Sequence, residues 1–352
     1  MTENLDFGMS DQDMLASMSE ARRDRAQFLD RLHGTHLGTG VDTVVRKKLG
    51  RLAEEAAASA DGYRPEGRAL FVIGETGAGK TRIINEAFDH MPELQDNRTA
   101  VATTSPVARV VAPSPMTLRQ LGQEILHAIG YPMQRNIQES AIWREVRNQL
   151  KLRQVRLIHI DEGQHMLAWR NPQEMEKLAN TLKNTMQRRD WPVWFVVSGM
   201  PELADFLHQD PQLYRRSEVL RLQPIRFPDH RDLLAWIVEQ IVETNAGMTL
   251  AVKVGDGDQT MLPDEFLNRL CHGAWSQFGV LTELVRGAVE QALIRDPIAT
   301  EVKHKDFVKA YEAFSGCTPN QNVMKVTRWY EIDPQEAIQQ ARTARYSKPE
   351  TN

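Results

Sequence analysis

The sequence predicts an α/β fold in which helices flank a central, mostly parallel sheet, with a small helical lid after it. Two observations carry this prediction. Between residues 69 and 222, short apolar runs alternate with helical patterns, which is the order of a parallel sheet with helices on both faces. After Pro224 the pattern is helical throughout, which predicts the lid.

Each predicted strand is a short apolar run bounded by turn signals or polar residues. We expect strands at 69–73, 107–112, 156–160, 193–197 and 218–222. In parallel sheets of this kind, ligands bind at the carboxyl ends of the strands. The residues that follow these runs are therefore the first place to look for chemistry.

The predicted helices follow apolar residues at helical spacing. Pro113-Ser114-Pro115 ends the second strand, and Thr117 with Gln120 forms a capping-box pattern that begins the next helix. We expect the other helices at 11–33, 41–52, 81–90, 139–152 and 172–189, and in the lid at 229–244, 263–272, 280–294 and 305–314.

Composition limits the functional classes. The 352 residues include 43 Lys+Arg and 47 Asp+Glu, for a net charge of −4, so any contact with a polyanion must be local or built by assembly. Two cysteines, Cys271 and Cys317, with no secretion signal or long apolar span, predict a cytoplasmic protein with unpaired thiols and no membrane partner.

A complete G-x-x-x-x-G-K-[ST] loop joins the first predicted strand to a helix, which is the setting that a phosphate-binding loop requires. Its glycines let backbone N–H groups surround phosphates, Lys80 adds a positive charge, and Thr81 offers a hydroxyl to Mg²⁺. The predicted cofactors are ATP and Mg²⁺. The predicted nucleotide-binding residues are Gly74, Glu75, Thr76, Gly77, Ala78, Gly79, Lys80, Thr81 and Arg82.

Two later strands end in residues suited to hydrolysis. Asp161 is the predicted metal partner, with Thr81, and Glu162 would orient and activate the attacking water; the alternative is an exposed acidic turn. Ser198 would touch the γ-phosphate or the water and sense it, unless it is a turn serine before Gly199.

Arg215 and Arg216 precede the last predicted strand. An arginine there could reach the nucleotide of a neighbouring subunit and stabilise transition-state charge as an arginine finger. We favour Arg216 for this role. Either residue could instead be a solvated helix end.

Taken together, these motifs resemble those of the AAA+ ATPases, and more narrowly those of the TniB/TnsC family of transposition regulators. The resemblance spans roughly residues 34–314. It rests on the loop at 74–81, Ala112-Pro113-Ser114 with Leu121, Ile125-Leu126 and Gly130 after it, Ile160-Asp161-Glu162, and Gly199-Met200-Pro201-Glu202.

The resemblance implies an AAA+ P-loop domain and an ATPase that binds double-stranded DNA without strong sequence preference. It also implies a homo-oligomer, either ring or filament, that recruits a transposase and works in some systems beside a TniQ-type target selector. The chain departs from the wider pattern at Thr282, where many AAA+ proteins carry a second-sensor arginine; Arg286 lies a turn later. Ala78 also replaces the asparagine expected in many TniB-like loops.

Four cations and one polar residue are the candidates for contacting DNA. We expect them on loops beside the central sheet. Each could instead be a solvated surface residue. The candidates are Arg109, Thr117, Arg119, Lys151 and Arg153.

Four parts are predicted: an N-terminal arm or helix (1–33), the nucleotide-binding core (34–224), the lid (225–316) and a partner-binding tail (317–352). In the tail, Trp329 and Tyr330 would anchor a partner or fold back onto the lid. The competing functions are an ExeA-like secretion ATPase, a signalling ATPase that recruits proteins without DNA, and a small-molecule kinase.

Overall fold

The computed structural model describes residues 11–58, 65–98, 103–131, 138–167, 171–252 and 263–339. The sequence predictions for residues 1–10, and those for the tail beyond 339, lie outside these ranges. The chain forms two compact units: Gly38–Gln223 is one, and the described residues of 1–37 and 224–352 form the other. Residues from both ends of the chain therefore belong to the same unit.

The strands of the described residues follow the chain in this order: β1 Ala69–Ile73, β2 Asn97–Arg98, β3 Thr103–Thr104, β4 Val107–Val111, β5 Leu157–Asp161, β6 Trp194–Gly199, β7 Ser217–Arg221, β8 Thr249–Ala251 and β9 Glu301–Lys303.

The helices of the same ranges are α1 Asp11–Ser17, α2 Glu20–Gly34, α3 Gly40–Ala57, α4 Lys80–Asp89, α5 Leu118–Ala128, α6 Glu139–Leu152, α7 Pro172–Met186, α8 Glu202–Gln209, α9 Pro211–Arg215, α10 Arg231–Glu239, α11 Asp264–Gly273, α12 Phe278–Arg295 and α13 His304–Ser315.

The five longer strands of the Gly38–Gln223 unit form one parallel sheet in the order β4-β5-β6-β1-β7. Successive residues of β1 point to opposite faces, as in any strand. Phe71 and Ile73 join a core that includes residues of α5 to α8, whereas Leu70 and Val72 join a second core with α3 and α4. The predicted α/β fold with helices on both faces is confirmed.

The register of the sheet brings the predicted site residues to one edge. Val111 lies beside Asp161, and Ile73 lies beside Gly199. The P-loop, Asp161 and Ser198 consequently follow neighbouring strands at the carboxyl edge, as the sequence predicts.

Local signals set several helix ends. The predicted capping box is present before α5, because the Thr117 hydroxyl accepts from the Gln120 N–H and the Gln120 side chain accepts from the Thr117 N–H. Several boundaries differ from prediction; α3, for example, covers Gly40–Ala57 rather than 41–52. The helix at 11–33 is split at residues 18–19, that at 172–189 ends at Met186, and α10 continues as a π-helical turn, Gln240–Asn245. Sequence reasoning missed the helices α8 and α9 and the short strands β2, β3, β8 and β9.

The second unit packs α10 to α13 around buried side chains that include Phe266, Phe307 and Tyr311, and Leu32 of α2 joins the same core. Cys271 and Cys317 are both buried and unpaired, as predicted.

The first part of the predicted tail packs on this second unit. Arg269 donates to the carbonyls of Val323 and Val326, at 3.1 and 2.7 Å. His272 lies 2.8 Å from the carbonyl oxygen of Ile332 and meets the Trp329 ring edge-on. Trp329 thus folds back onto the helices, whereas Tyr330 keeps 63% of its surface exposed.

Candidate nucleotide-binding site

The loop at 74–81 connects β1 to α4 through two left-handed glycines. Gly77 and Gly79 have φ of 80° and 89°, a region that side-chain-bearing residues rarely adopt. Gly79 is also the N-cap of α4, so the loop ends in the unpaired N–H groups of a helix N-terminus. This geometry makes a concave array of donors for an anion.

Lys80 folds back over this loop. Its Nζ donates to the carbonyl oxygens of Gly74 and Glu75 at 2.8 and 2.9 Å. Burial lowers the pKa of Lys80, although Glu162, Asp161 and Glu75 each act to raise it. Lys80 is therefore a desolvated cation that faces three carboxylates across the site.

The remaining loop residues lie around the same turn. Glu75, Thr76 and Arg82 are exposed, whereas Ala78 is buried. The Ala78 N–H donates to the Glu75 carbonyl at 3.1 Å. Because backbone groups form the turn, alanine at this position leaves its donors in place.

Asp161 is the centre of a hydrogen-bonded group. Its carboxylate accepts from the hydroxyls of Thr81 and Ser198, each at 2.6 Å, and from the Glu162 N–H at 2.9 Å. Burial alone would raise the pKa of Asp161, but the hydrogen bonds from Ser198, Thr81 and the Glu162 N–H lower it below its usual range. The carboxylate is thus held ionised in one orientation.

Thr81 and Asp161 supply the hard oxygen donors that Mg²⁺ takes in proteins. Two protein oxygens beside a phosphate-binding loop suit this ion, which completes its shell with phosphate oxygens and water. The described residues contain no cluster of three or more His, Cys, Asp or Glu that could hold a metal.

A buried histidine that sequence reasoning missed lies behind Ser198. His159 Nε2 is 3.0 Å from Ser198 Oγ, and burial lowers the pKa of His159 to about 4. Because the Ser198 hydroxyl donates to Asp161, a neutral His159 that carries its proton on Nε2 completes the chain. The available signal was that His159 is the one polar residue among the four that precede Asp161 in β5.

Glu162 has a strained backbone and a defined side-chain partner. Its φ is 55°, in the left-handed region, and Gln164 Nε2 donates to Glu162 Oε2 at 2.5 Å. The other end of the amide, Gln164 Oε1, accepts from the Met200 N–H at 3.1 Å. Gly199 leaves room for this contact, since a Cβ there would lie 2.5 Å from Gln164 Oε1.

Gln164 therefore ties Glu162 to the turn after β6, and that turn is tied to the P-loop through the Gly74 N–H, which donates to the Gly199 carbonyl at 3.1 Å. We call Gly74, Gly199, Met200, Gln164 and Glu162 the loop-to-glutamate chain. No sequence signal distinguishes Gln164 from any other glutamine in the chain.

Arg215 and Arg216 lie at the opposite, amino edge of the sheet. The Ala69 N–H donates to the Arg216 carbonyl at the start of β1, and the Arg216 side chain pairs with Glu66 at 2.9 Å. Arg215 is exposed. Five strand residues at about 3.3 Å each separate this edge from the carboxyl edge, so neither arginine belongs to the group around Asp161.

A buried ion pair positions the short helix that carries these arginines. Asp210 caps α9 by accepting from the N–H groups of Gln212 and Leu213. The same carboxylate accepts from Lys183 Nζ of α7 at 2.6 Å. The Asp210 carboxylate thus both caps α9 and anchors the N-terminus of α9 to α7.

The expectation that the predicted DNA contacts lie on loops is wrong for Arg109, Arg119 and Lys151, which lie on a strand or a helix. Arg109 is on β4 and pairs with Asp89 at 3.0 Å; Thr117 is the helix cap described above, and Arg119 is on α5. Lys151 is on α6, and Arg153 is the C-cap of that helix.

Nor are these candidates brought together. Thr117 follows the carboxyl end of β4, whereas Lys151 and Arg153 precede the amino end of β5. The two groups therefore occupy opposite edges of the sheet, and they cannot form one continuous contact.

In the second unit, the two positions that depart from the AAA+ pattern have partners of their own. The Thr282 hydroxyl donates to the Gly279 carbonyl at 2.8 Å, and Arg286 donates to the Thr35 carbonyl at 2.7 Å. None of the helices in the described ranges is long and apolar enough to cross a membrane.

The parallel sheet with a P-loop after β1, the Asp161–Glu162 pair after β5 and Ser198 at the end of β6 define an ATPase of the AAA+ class. More narrowly, the chain belongs to the TniB family. The family model described as "Bacterial TniB protein" matches residues 45–227, which is more than half of the chain.

Solved structures with the same fold are far in sequence. The ORC2 protein of Aeropyrum pernix, in ADPNP–ADP complexes, is 17% identical with a TM-score of 0.55, and the match covers 82% of this chain and 72% of that chain. The ORC1 protein of Aeropyrum pernix in complex with DNA is 16% identical with a TM-score of 0.54, covering 82% and 69%. A search of curated protein sequences found no match.

Proposed function

We propose that this chain is an ATP-controlled regulator of DNA transposition. Loaded with ATP and Mg²⁺, it assembles as a homo-oligomer on double-stranded DNA, marks the target site and recruits a transposase, and hydrolysis then releases the assembly. The observation that carries this proposal is the group of Thr81, Asp161 and Ser198 beside Glu162, in a chain of the TniB family.

The described geometry supports a hydrolysis step at the carboxyl edge. The loop N–H groups and Lys80 hold the phosphates, and Thr81 with Asp161 holds Mg²⁺, which would neutralise charge on the phosphate oxygens. Glu162 orients the attacking water and takes its proton, while Ser198 senses the γ-phosphate. Lys80 exchanges its contacts with the Gly74 and Glu75 carbonyls for the phosphate.

In this proposal, Arg215 and Arg216 couple hydrolysis to assembly. Because Arg216 lies at the amino edge, it acts on a nucleotide held by a neighbouring subunit. The Glu66 contact holds it in the single chain, and docking of a second copy would exchange Glu66 for the γ-phosphate. Arg215 is the alternative finger.

The partners follow from this scheme. Duplex DNA is bound through its backbone and without strong sequence preference, and the same fold occurs in a structure of ORC1 in complex with DNA. A transposase and a TniQ-type target selector are the protein partners. Tyr330, exposed in the tail segment, is the aromatic residue offered to them.

The variant Glu162→Gln tests the proposal. It keeps the side-chain volume but removes the base, so ATP turnover should fall on the order of 100-fold or more while nucleotide still binds. Electron microscopy with duplex DNA and ATP should then show persistent assemblies, whereas the wild type with ADP shows none. The matched control is Glu176→Gln on α7.

Two outcomes would count against the proposal. Assemblies of Glu162→Gln that dissociate as fast as those of the wild type would refute the hydrolysis switch. Nucleotide-bound particles that are indifferent to DNA would favour the alternative, an ExeA-like or signalling ATPase that recruits proteins without DNA.

A further inference from the structure

Three cations lie on one stripe of α6. Arg144, Arg147 and Lys151 are spaced by three and four residues, so at 100° per residue they fall within an arc of about 60°. Glu145 lies on the neighbouring stripe, where it accepts from Gln149 at 2.8 Å. The helix thus separates its cations from its nearest carboxylate.

A fourth cation reaches the same place from the end of α7. Arg188 donates twice to the Asp190 carboxylate, at 2.7 Å each, and Lys151 donates to the same carboxylate at 3.2 Å. Asp190 therefore joins the ends of the two helices. We call Arg144, Arg147, Lys151 and Arg188 the arginine cluster.

The cluster is not balanced within the chain. Asp190 faces two of its members, and among the described residues no carboxylate forms an ion pair with Arg144 or Arg147. Burial lowers the pKa of Arg147, and the charges of Arg188 and Arg144 lower it further. Like charges held together at the edge of the core oppose folding and call for an external anion.

We infer that the arginine cluster is a binding surface for the phosphate backbone of duplex DNA. This inference rests on the proposed function. From Arg144 to Lys151 the helix rises about 10 Å, which matches about three steps of one DNA strand at 3.4 Å per step. Guanidinium groups suit this partner, because their planar fork matches phosphate oxygens.

The neighbouring aromatic residue favours a duplex over single-stranded nucleic acid. Single strands are held largely by bases stacked on aromatic rings. Trp191 is engaged instead, since Arg156 lies 3.5 Å from its ring centroid and its Nε1 donates to the Val155 carbonyl at 2.7 Å. Within the described part of the chain, the surface therefore offers charge without a stacking platform.

The inferred surface differs from the DNA contacts predicted from the sequence. Lys151 belongs to it, and Arg153 lies at the end of the same helix but on the stripe of Glu145. Arg109 on β4, Thr117 before α5 and Arg119 on α5 are not part of it. The net charge of −4 is compatible with this surface because the positive charge is concentrated in one place.

The double variant Arg144→Gln/Arg147→Gln tests the inference without disturbing the Asp190 pairs. Binding of a labelled duplex of mixed sequence is measured by fluorescence anisotropy with a non-hydrolysable ATP analogue at several salt concentrations. We expect at least tenfold weaker binding at low salt, and a salt dependence of log K that is shallower by about 1.8, since each lost phosphate contact removes about 0.9.

Two further variants control for charge and for fold. Arg22→Gln/Arg25→Gln removes two exposed cations at the same spacing from α2 and should bind as the wild type does. Arg144→Lys/Arg147→Lys keeps the charge and should bind within a few fold of the wild type. Circular dichroism and thermal unfolding check each variant.

The outcomes distinguish the inference about the arginine cluster from the proposed function on which it rests. A wild type that binds duplex DNA, with a double glutamine variant that binds equally and with the same salt dependence, overturns the arginine cluster alone. A wild type that does not bind duplex DNA overturns the proposed function with it. Equal losses in the Arg22/Arg25 control would mean that overall charge, not this surface, governs binding.

Discussion

The two edges of the central sheet use charge in opposite ways. At the carboxyl edge, Asp161 accepts three hydrogen bonds and is held in one orientation. At the amino edge, Arg147 lies among like charges and Asp190 alone counters two of its neighbours. The first arrangement gives its charged group hydrogen-bond partners from the same chain. It suits catalysis, because catalysis needs groups held in fixed positions. Among the described residues, the second is countered only in part, by Asp190, and suits binding.

The largest effect should come from the arginine at the amino edge. Arg216→Ala should lower DNA-stimulated ATP turnover about 10³-fold, because a finger stabilises charge in the transition state. Arg215→Ala is the matched control and should have a much smaller effect. Mixing Arg216→Ala with Lys80→Ala subunits should restore part of the turnover, since one supplies the nucleotide site and the other the arginine.

This experiment separates action within a chain from action between chains. If the mixture stays inactive, Arg216 does not act across subunits. If Arg215→Ala is the more damaging variant, the finger is the neighbouring residue.

A smaller effect is expected inside the carboxyl edge. Gln164→Glu replaces the amide that donates to Glu162 with a second carboxylate, and so releases Glu162 from the loop-to-glutamate chain. Turnover should fall roughly tenfold through kcat, as positioning is lost, while the affinity for nucleotide changes little. Steady-state kinetics and nucleotide titration measure the two separately.

Gln173→Glu on the exposed start of α7 provides the control of equal charge. A Gln164→Glu variant with unchanged kcat would show that the contact with Glu162 is structural and has no part in turnover.

The smallest effect concerns stability and has opposite signs at the two edges. Arg144→Gln/Arg147→Gln should raise the free energy of unfolding by roughly 0.5 kcal/mol at low salt, because it relieves repulsion between like charges, and salt should erase the gain. Asp161→Asn removes a single charge but should lower stability, since hydrogen bonds hold that carboxylate ionised. Urea unfolding at two ionic strengths measures both, and gains or losses of the same sign would remove the contrast between the edges.

The sequence predicted what depends on neighbouring residues. The strands predicted at 69–73 and 107–112, the capping box of Thr117 and the P-loop all follow from short patterns with a local physical cause. The parallel sheet then follows from their order. For this reason the residues around Asp161 could be named before their geometry was known.

The partners of those residues could not be predicted, because they meet through the fold. Glu66 and Arg216 are 150 positions apart. Lys151 lies on α6, whereas its partner Asp190 lies in the segment after α7. Likewise, nothing in the sequence separates Gln164 from an exposed glutamine. The five predicted DNA contacts, four cations and Thr117, are dispersed over the sheet and its flanking helices, since residue type alone does not fix location.

The loop-to-glutamate chain has a consequence for timing. Gly74 and Glu162 are connected through three successive hydrogen bonds. A shift of the P-loop can therefore move the Glu162 carboxylate. Under the proposed function, the position of the turn at Gly199 and Met200 would therefore affect how long the ATP state lasts. Under the same proposal, a protein that contacts this turn would change the rate of hydrolysis, and with it the lifetime of the assembly, without contacting the nucleotide.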